Sequence, residues 1–350
     1  MKDIISSKER VVTALNRKEP DRVPVGELVI DNKVIKGFNK NYKDVVDLAF
    51  GEGVDLVGEI AKYKVIKKLP DNQYIDEWGC LYKISKDVVD HPIKGPITDK
   101  DDLKKIEFPD SNLAHRFGKL RNFVKKAKGK IAINFHCRLD FMWAVFLMGM
   151  DNLMISMIDK PDFIHELLKK IADNNIKMIR NAINIGANTI SLGDDYCGKD
   201  GPLISPKMFR EFLLPNLKRA VSIIHQDGAF CIKHTDGNIW TIMDQLVEAG
   251  IDCINPIDPL GRMDVGEVKK AFGNKISIMG NIDCVYTLCK GTKDEVYDAV
   301  KTCISKGARN GGLIVSSSNS IHSGVKPANY SYMIKSVHRY GKYPLNITNN

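Results

Sequence analysis

Short apolar runs alternate with longer amphipathic segments along most of the chain. The runs, which are typical of buried strands, begin at about residues 22, 54, 131, 188, 230, 252, 276 and 312. Nearly all of them are separated by segments with helical spacing of apolar residues, such as 161–184 and 206–226. Strands that alternate with helices predict a parallel sheet. Eight such units in 350 residues predict an α/β protein, a single (β/α)8 TIM barrel spanning residues 1–350.

Two segments fall outside this repeating unit. Residues 8–18 predict an N-terminal helical extension, because Val11, Val12 and Leu15 share one helix face. Residues 76–85 alternate and contain a glycine, which predicts a small hairpin excursion. The alternative fold is an open doubly wound sheet. It is disfavoured because no GxGxxG motif follows the first strand.

The segment 230–238, FCIKHTDGN, is the strongest local signal. Its apolar start predicts a strand that ends at His234 and Asp236, and Gly237 is expected to let the backbone approach a ligand. Imidazole and carboxylate both bind Zn²⁺, so the pair predicts a metal site. An equally open interpretation is that Asp236 orients His234 as a general base, or caps the next helix.

The other predicted strand ends are polar as well, and active sites of such barrels lie at these ends. The residues concerned are Glu27, His136, Asp194, Asp195, Asp258, Asn281, Asp283 and 316–319. Asp194 and Asp195 are adjacent, so they are expected to face opposite ways, one acting and the other capping. His136 and Arg138 share a strand face and could hold an anionic substrate. An ion pair between Arg138 and Asp140 is as well supported.

The sequence leaves several assignments open. A third metal ligand could come from His322, Asp194 or Cys284. Tyr196 and Trp143 are candidate pocket walls, although core packing is the better-supported explanation for both. The run 316–319, SSSN, offers hydroxyl donors, but no GxSxG motif supports a serine nucleophile.

Composition and charge narrow the class of protein. A hydrophobic fraction of 43% and 27% charged residues are typical of a globular protein with an ample core. No apolar run approaches about 18 residues and MKDIISSKERVV lacks a signal-peptide core, so a cytoplasmic protein without a membrane span is predicted. The eight cysteines form no CxxC pair and are expected to be reduced. The net charge of +9 is spread over amphipathic helices, which disfavours nucleic acid and leaves an acidic protein partner open.

Several longer stretches make the chain resemble the uroporphyrinogen decarboxylase superfamily. They are KERVVTALNRKEPDRVPV, DEWG, GDDYCGKDGPLISPKMFREFLLPNLKRAV, HTDGNIW, IDCINPID, MGNID and SSSNSIHSGVKPANY. The resemblance implies a (β/α)8 barrel and one of two activities. One is porphyrinogen decarboxylation, and the other is zinc-dependent methyl transfer that serves corrinoid proteins.

Departures from the family patterns favour the methyltransferase branch. The decarboxylases carry an Arg-rich segment that grips the substrate's propionates, and the matching PVGELVIDNKVIKG has no Arg. The thiol-methylating members hold zinc with HxCG and a late Cys. Here His234 matches the His, Asp236 replaces the Cys, and no Cys lies around Asn319. Oxygen ligands make zinc more Lewis-acidic, which suits an ether oxygen better than a thiolate.

The resemblance therefore implies the first methyltransferase of an O-demethylase system. Such an enzyme moves the methyl group of a small donor, above all a methoxylated aromatic, to the cob(I)alamin of a partner corrinoid protein. Zinc is expected at His234, Asp236 and His322, with Asp194 or Glu27 handling the proton. The residues expected to bind substrate are His136, Arg138, Tyr196, Asn281, Asp283, Ser318 and Asn319.

Other functions stay open from the sequence. One is a metal-free decarboxylase or lyase with His234 and Asp194 as base and acid. A second is a methylcobalamin:thiol methyltransferase, and a third is a barrel that binds a corrinoid protein or small ligand without catalysis. The identity of the donor, the direction of transfer and the oligomeric state, a homodimer included, are not fixed.

Overall fold

A computed structural model describes residues 5–38, 40–84, 90 and 92–346 of the chain. The strands are β1 (Leu56–Ile60), β2 (Val65–Leu69), β3 (Gln73–Asp76), β4 (Leu81–Lys83), β5 (Pro92–Lys94), β6 (Ala132–Cys137), β7 (Thr189–Gly193), β8 (Cys197–Gly198), β9 (Gly201–Pro202), β10 (Phe230–His234), β11 (Cys253–Asn255), β12 (Ser277–Ile282) and β13 (Leu313–Ser317).

The helices are α1 (Ser7–Leu15), α2 (Asn32–Gly37), α3 (Val45–Glu52), α4 (Lys100–Lys105), α5 (Leu120–Ala127), α6 (Phe141–Met148), α7 (Met150–Asp159), α8 (Pro161–Ile185), α9 (Pro206–Met208), α10 (Leu214–Gln226), α11 (Met243–Glu248), α12 (Val265–Phe272), α13 (Lys293–Gly307) and α14 (Pro327–Tyr340). Short 3₁₀ helices at Ala114–Phe117 and Trp240–Ile242 and a π-helical segment at Phe209–Leu213 complete the helical elements of the described residues.

A curled sheet of seven strands forms the centre, in the order β1-β6-β7-β10-β11-β12-β13. All six neighbouring pairs are parallel. Parallel strands place all their carboxyl ends at the same edge, so the loops that follow them lie close together. The predicted α/β class and the predicted parallel sheet are confirmed.

The first predicted strand, near residue 22, is present only as single bridges. Val25 bridges Val315 on β13 and Gly26 bridges Leu56 on β1, both in the parallel sense. The segment therefore contacts both edge strands of the sheet. Pro24 has no N–H to donate, which helps to keep this contact short. Seven of the eight predicted strands are regular strands, and the complete eight-stranded barrel stays a prediction.

A buried carboxylate fixes this bridging segment. Asp55 is fully buried and accepts hydrogen bonds from Arg10 Nη1 at 2.7 Å, Arg22 Nη1 at 2.6 Å and Val25 N–H at 2.8 Å. Arg10 also donates to Asp21 at 2.6 Å. One carboxylate thus joins α1, the bridging segment and the residue before β1.

A second carboxylate joins the segment to β13. Glu27 is 1% exposed, and its two oxygens accept from the Ser317 N–H and from the Ser317 hydroxyl, each at 2.8 Å. Burial raises the pKa of Glu27 to about 8, although both hydrogen bonds from Ser317 oppose the rise. Glu27 is consequently protonated near neutral pH.

The N-terminal helix covers the interior of the sheet. It begins with a capping box between Ser6 and Glu9. Val11, Ala14 and Leu15 pack with inward-facing sheet residues in a core of their own. A larger core lies outside this interior cluster. The sequence-predicted helical extension is confirmed.

The predicted hairpin is larger than the sequence indicated. Strands β2 to β5 form an antiparallel sheet of four strands after β1. Of the predicted segment 76–85, Ser85 lies outside the described residues. Within the described ranges, no single helix has the length and apolar character of a membrane crossing, and one pair, Phe141–Met148 with Met150–Asp159, has them jointly but bends by 106°.

Replacing Asp55 by Asn should lower the free energy of unfolding by roughly 3–5 kcal/mol. The neutral amide removes the negative charge that Arg10 and Arg22 share, and breaking buried ion pairs is costly. Urea denaturation of both proteins measures the difference. Asp101→Asn, which breaks an exposed pair with Lys104, is the control and should change little.

The wild type should lose stability as the pH rises from about 4.5 to about 8, relative to Glu27→Gln. The folded pKa of Glu27 lies above its ordinary value of 4.5, so within this window the folded state keeps a proton that the unfolded chain releases. Gln keeps an acceptor for the Ser317 N–H and has no such proton. Urea midpoints at pH 5 and pH 8.5 test this, and parallel pH profiles for the two proteins would contradict it.

Candidate metal centre

Three side chains converge beyond the carboxyl ends of β7 and β10. Asp195, His234 and Asp236 each offer one ligand atom, and these atoms lie within 4.8 Å of one another. His234 Nε2 is 3.9 Å from Asp195 Oδ1 and 3.7 Å from Asp236 Oδ1. Ligands of one tetrahedral zinc ion, each at about 2.1 Å from the metal, are about 3.4 Å apart. The observed spacing is close to what a shared cation requires.

The hydrogen bond to Asn255 sets the orientation of His234. His234 Nδ1 is 2.7 Å from Asn255 Oδ1. The Asn255 amide nitrogen donates to the Met279 carbonyl at 3.1 Å and toward Ser316 Oγ at 3.4 Å, which directs the amide oxygen to the histidine. Nδ1 then carries a proton, and Nε2 faces the two carboxylates, where the neutral tautomer would offer its lone pair to a cation.

One carboxylate oxygen of Asp236 accepts a hydrogen bond, and the other accepts none. Oδ2 accepts a short hydrogen bond from Asn319 Nδ2, while Oδ1 is buried with no hydrogen-bond partner in the described part of the chain. Burial raises the pKa of Asp236 to about 6; His234 opposes the rise, and the negative charges of Asp195 and Asp258 add to it. A cation beside Oδ1 would supply the missing partner, so the residues present fit a metal ion.

The adjacent carboxylates Asp194 and Asp195 face opposite ways, as predicted. Asp195 has 40% of its side chain exposed and points to the cluster. Asp194 is fully buried and accepts from the Leu139 N–H at 2.7 Å and the Met142 N–H at 2.9 Å. The residue that the sequence suggested as an acid therefore holds the turn between β6 and α6. Its neighbour lies beside His234.

Gly237 permits close packing of two backbone segments, whereas the sequence predicted that it makes room for a ligand. Its φ is +82°, and a Cβ there would lie 2.4 Å from the Gly198 carbonyl oxygen. The Gly237 N–H donates to Asp258 at 3.1 Å. Only glycine permits this approach of the loop after β7, which carries Asp195, to the loop after β10.

His136 lies beside the cluster as a neutral side chain. Its Nδ1 is 2.8 Å from Ser191 Oγ, and its ring centroid is 5.9 Å from that of His234. Burial lowers the pKa of His136 well below its ordinary value, and the positive charges of His234 and Arg138 add to the effect. Gly193 makes room for the ring, because a Cβ there would be 2.4 Å from His136 Cε1.

Arg138 does not form the alternative ion pair with Asp140. Asp140 accepts from Asn216 Nδ2 at 2.8 Å instead. Within the described residues the Arg138 guanidinium has no hydrogen bond or ion pair, and its Cζ lies 5.0 Å from the ring centroid of Phe146. The guanidinium therefore remains available to an anion.

His322, the sequence-predicted third metal ligand, lies apart from the cluster. Its Nδ1 accepts from the Gly324 N–H at 3.1 Å, so Nε2 carries the proton and donates to the Cys284 carbonyl at 3.0 Å. This histidine joins the loop after β13 to the loop after β12. Asp195 occupies the third position in its place.

The remaining predicted site residues have mixed placements. Asp283 caps a turn through the N–H groups of residues 285–287. Ser318 Oγ accepts from the Cys284 N–H at 3.1 Å. Asn281 is half-buried on β12, and no hydrogen bond of its side chain is found among the described residues. Glu27 hydrogen-bonds to Ser317. Among the described residues of this group, only Asn319 forms a hydrogen bond with Asp236.

Tyr196 lies in the core, beneath the cluster, and carries a buried cation on its ring. The side chain is 1% exposed, and Lys233 Nζ lies 4.2 Å from its ring centroid. Lys233 is fully buried and donates to the carbonyls of Leu192, Asp194 and His234. Burial lowers the pKa of Lys233, and nearby carboxylates oppose the change.

Sequence reasoning missed Asn255 and Lys233 and did not single out Asp195. The signal for Asn255 was a polar residue inside the apolar run DCINPID. Lys233 showed the same signal, a charge inside a strand that reads as buried. The roles of both residues depend on hydrogen bonds to neighbouring strands, which the sequence does not show.

Comparisons with known proteins show which family and fold the chain shares. Uroporphyrinogen decarboxylase of Colwellia psychrerythraea is 25% identical over 262 residues, 71% of this chain and 70% of that protein. The enzyme of Carboxydothermus hydrogenoformans is 22% identical over 275 residues, 75% of each chain. A methyltransferase from Methanosarcina mazei has the same fold, with a TM-score of 0.77, 18% identity, and coverage of 96% of this chain and 99% of that one. Residues 75–340 match the family described as Uroporphyrinogen decarboxylase (URO-D), and the chain therefore belongs to the uroporphyrinogen decarboxylase family.

Proposed function

We propose that the chain is a methyltransferase that moves the methyl group of a methoxylated aromatic compound to the cob(I)alamin of a partner corrinoid protein. The observation that carries this proposal is the buried Asp236 Oδ1, which accepts no hydrogen bond from the described residues and lies 3.7 Å from Nε2 of a histidine that Asn255 orients through Nδ1. A structural neighbour described as a methyltransferase, which matches nearly the whole chain, supports the same branch of the family.

We assign the metal to zinc, held by Asp195, His234 and Asp236. One imidazole and two carboxylates leave a coordination position for a substrate, as catalytic zinc sites require. A bound zinc ion would act as a Lewis acid toward the ether oxygen of the donor. The set contains no thiolate, which favours an oxygen-bound methyl group over a thiol acceptor.

The residues around the cluster keep its ligands in place. Asn255 holds His234 in the tautomer that exposes Nε2, and Asn319 fixes one oxygen of Asp236. In the transfer, the electron pair of Co(I) forms the bond to the methyl carbon, the C–O bond breaks, and the phenolate takes up a proton. Asp194 caps a turn and Glu27 binds Ser317, so we assign the proton to solvent and to neither carboxylate.

An apolar rim around the same end of the sheet suits a docking partner. Leu203, Leu260, Val285 and Tyr286 are 44–55% exposed, on loops that follow β9, β11 and β12. Exposed apolar groups are typical of protein interfaces. The net charge of +9 over the whole chain would favour association with an acidic corrinoid protein.

The purified protein should contain about one zinc per chain, and His234→Ala and Asp236→Asn should each lose it. Metal analysis after anaerobic reconstitution with zinc measures this directly. His322→Ala is the matched control, because it removes a histidine that the sequence suggested as a ligand but that lies apart from the cluster. It should keep its zinc.

Two outcomes of the metal analysis would contradict the assignment. A wild-type protein without zinc would remove the Lewis-acid mechanism and favour a metal-free lyase. Loss of zinc from His322→Ala, with zinc retained in His234→Ala, would place the metal elsewhere.

The zinc-loaded protein should convert cob(I)alamin to methylcobalamin in the presence of a methoxylated aromatic under anaerobic conditions. The visible spectrum of cobalamin follows the reaction, with free cobalamin replacing the corrinoid protein. Asn255→Ala should slow the conversion by about 10- to 100-fold, because residues that orient a metal ligand typically contribute this much. Consumption of methylcobalamin with a thiol, without reaction of the ether, would instead favour a thiol methyltransferase.

A further inference from the structure

Arg138 is a half-buried cation that lacks an anion. It follows β6 by one residue, and its Nε is buried with no hydrogen-bond partner. No ion pair or hydrogen bond engages its guanidinium within the described ranges, and its Cζ lies 5.0 Å from the ring centroid of Phe146. A guanidinium has five donors and no acceptor, so burying one without an acceptor is unfavourable. A bound anion would remove this cost.

Two further donors near Arg138 also lack acceptors. The Tyr63 hydroxyl and the Trp143 indole Nε1 are both buried without a hydrogen-bond partner. The rings of Tyr63 and Trp143 meet edge to face at 4.9 Å, and Trp143 contacts Phe146 at 5.6 Å. Phe146 in turn lies under the guanidinium, so the three donors belong to one connected group of side chains.

The protonation states in this group favour donation of hydrogen bonds. Burial raises the pKa of Tyr63 above its ordinary value, so the phenol keeps its proton. The positive charges of Arg138 and Arg116 and the Trp143 indole oppose this rise. Donors without a geometric acceptor, with no carboxylate among them, favour an anion at this place over a cation.

The group lies next to the metal centre. Tyr63 follows β1 and Arg138 follows β6, and these strands are paired, so both loops leave the same edge of the sheet. His136, two residues before Arg138, has its ring 5.9 Å from that of His234. A ligand held by Arg138 would therefore extend past a neutral histidine toward His234.

We propose that Arg138, Tyr63 and Trp143 form a carboxylate pocket, and that the methyl donor is an aromatic ether bearing a carboxylate. The planar guanidinium suits two parallel hydrogen bonds to a carboxylate, and the surrounding rings suit an aromatic body. The carboxylate pocket stands on its own unpartnered donors. Only the ether part of the substrate rests on the proposed function.

Binding of benzoate tests the pocket without any reaction. Calorimetry on the wild type should show benzoate binding at least about 10-fold tighter than benzamide, which has the same shape and no charge. Arg138→Gln should weaken benzoate binding by about 10- to 100-fold, and Arg138→Lys by less. Arg121→Gln on the exposed face of α5 removes the same charge elsewhere and should have no effect.

The zinc-free His234→Ala protein tests whether benzoate binds to the pocket or to the metal. Benzoate should still bind there and still depend on Arg138. Benzoate binding that disappears in His234→Ala and is unchanged in Arg138→Gln would mean that the metal binds the carboxylate, which overturns the pocket. Equal affinity for benzoate and benzamide in the wild type would also overturn it, even if Arg138→Gln failed to fold.

The reaction separates failure of this inference from failure of the proposed function. Arg138→Gln should raise the KM for 4-methoxybenzoate by at least about 10-fold and leave that for 4-methoxybenzamide unchanged. Charge-selective benzoate binding without methyl transfer supports the pocket and contradicts the proposed function. Methyl transfer without preference for the charged ether supports the function and contradicts the pocket.

Discussion

Parallel strand pairing places three residues in one row at the carboxyl edge of the sheet, and the site depends on that row. His234 pairs with Gly193 on one side and with Asn255 on the other. Asn255 fixes the histidine tautomer, and Gly193 leaves the space that the His136 ring fills. A shift of one residue in either pairing would turn these side chains to the other face of the sheet. The imidazole would then meet neither the amide nor the carboxylates.

Buried polar groups in this fold divide into those with partners and those without. Asp55, Glu27 and Asp194 are fully engaged with backbone or side-chain donors, and they hold the bridging segment and the turn after β6. Asp236 Oδ1 and Arg138 Nε have no such partner in the described residues, although burial makes an unpaired group costly. One is an acceptor beside Nε2 of His234, and the other is a donor in the same group as the Tyr63 hydroxyl and the Trp143 indole. Asp236 Oδ1 therefore suits a metal cation, and Arg138 suits the anionic end of a substrate.

Much of the fold followed from periodicity. Helical spacing and apolar runs gave the parallel sheet, the N-terminal helix and the antiparallel excursion, because these patterns reflect which side of each element is buried. The bridging segment was less regular than predicted, since Pro24 limits its hydrogen bonding and its contacts come from strands about 30 and 290 residues away in sequence. Pairing between residues so far apart in the chain produces no pattern in the local sequence.

For the site, the sequence by itself determined the chemistry available at the strand ends: a histidine at 234, a carboxylate and no thiolate at 236, and an arginine at 138. The choice among the remaining candidates was made only by the tertiary structure. It set Asp195 and not His322 beside His234, turned Asp194 to the backbone, and left Arg138 without Asp140. The reason is that a ligand set requires atoms within a few ångströms of one another. Chain spacing fixes which face a side chain occupies, and the loops that follow separate strands decide which side chains meet.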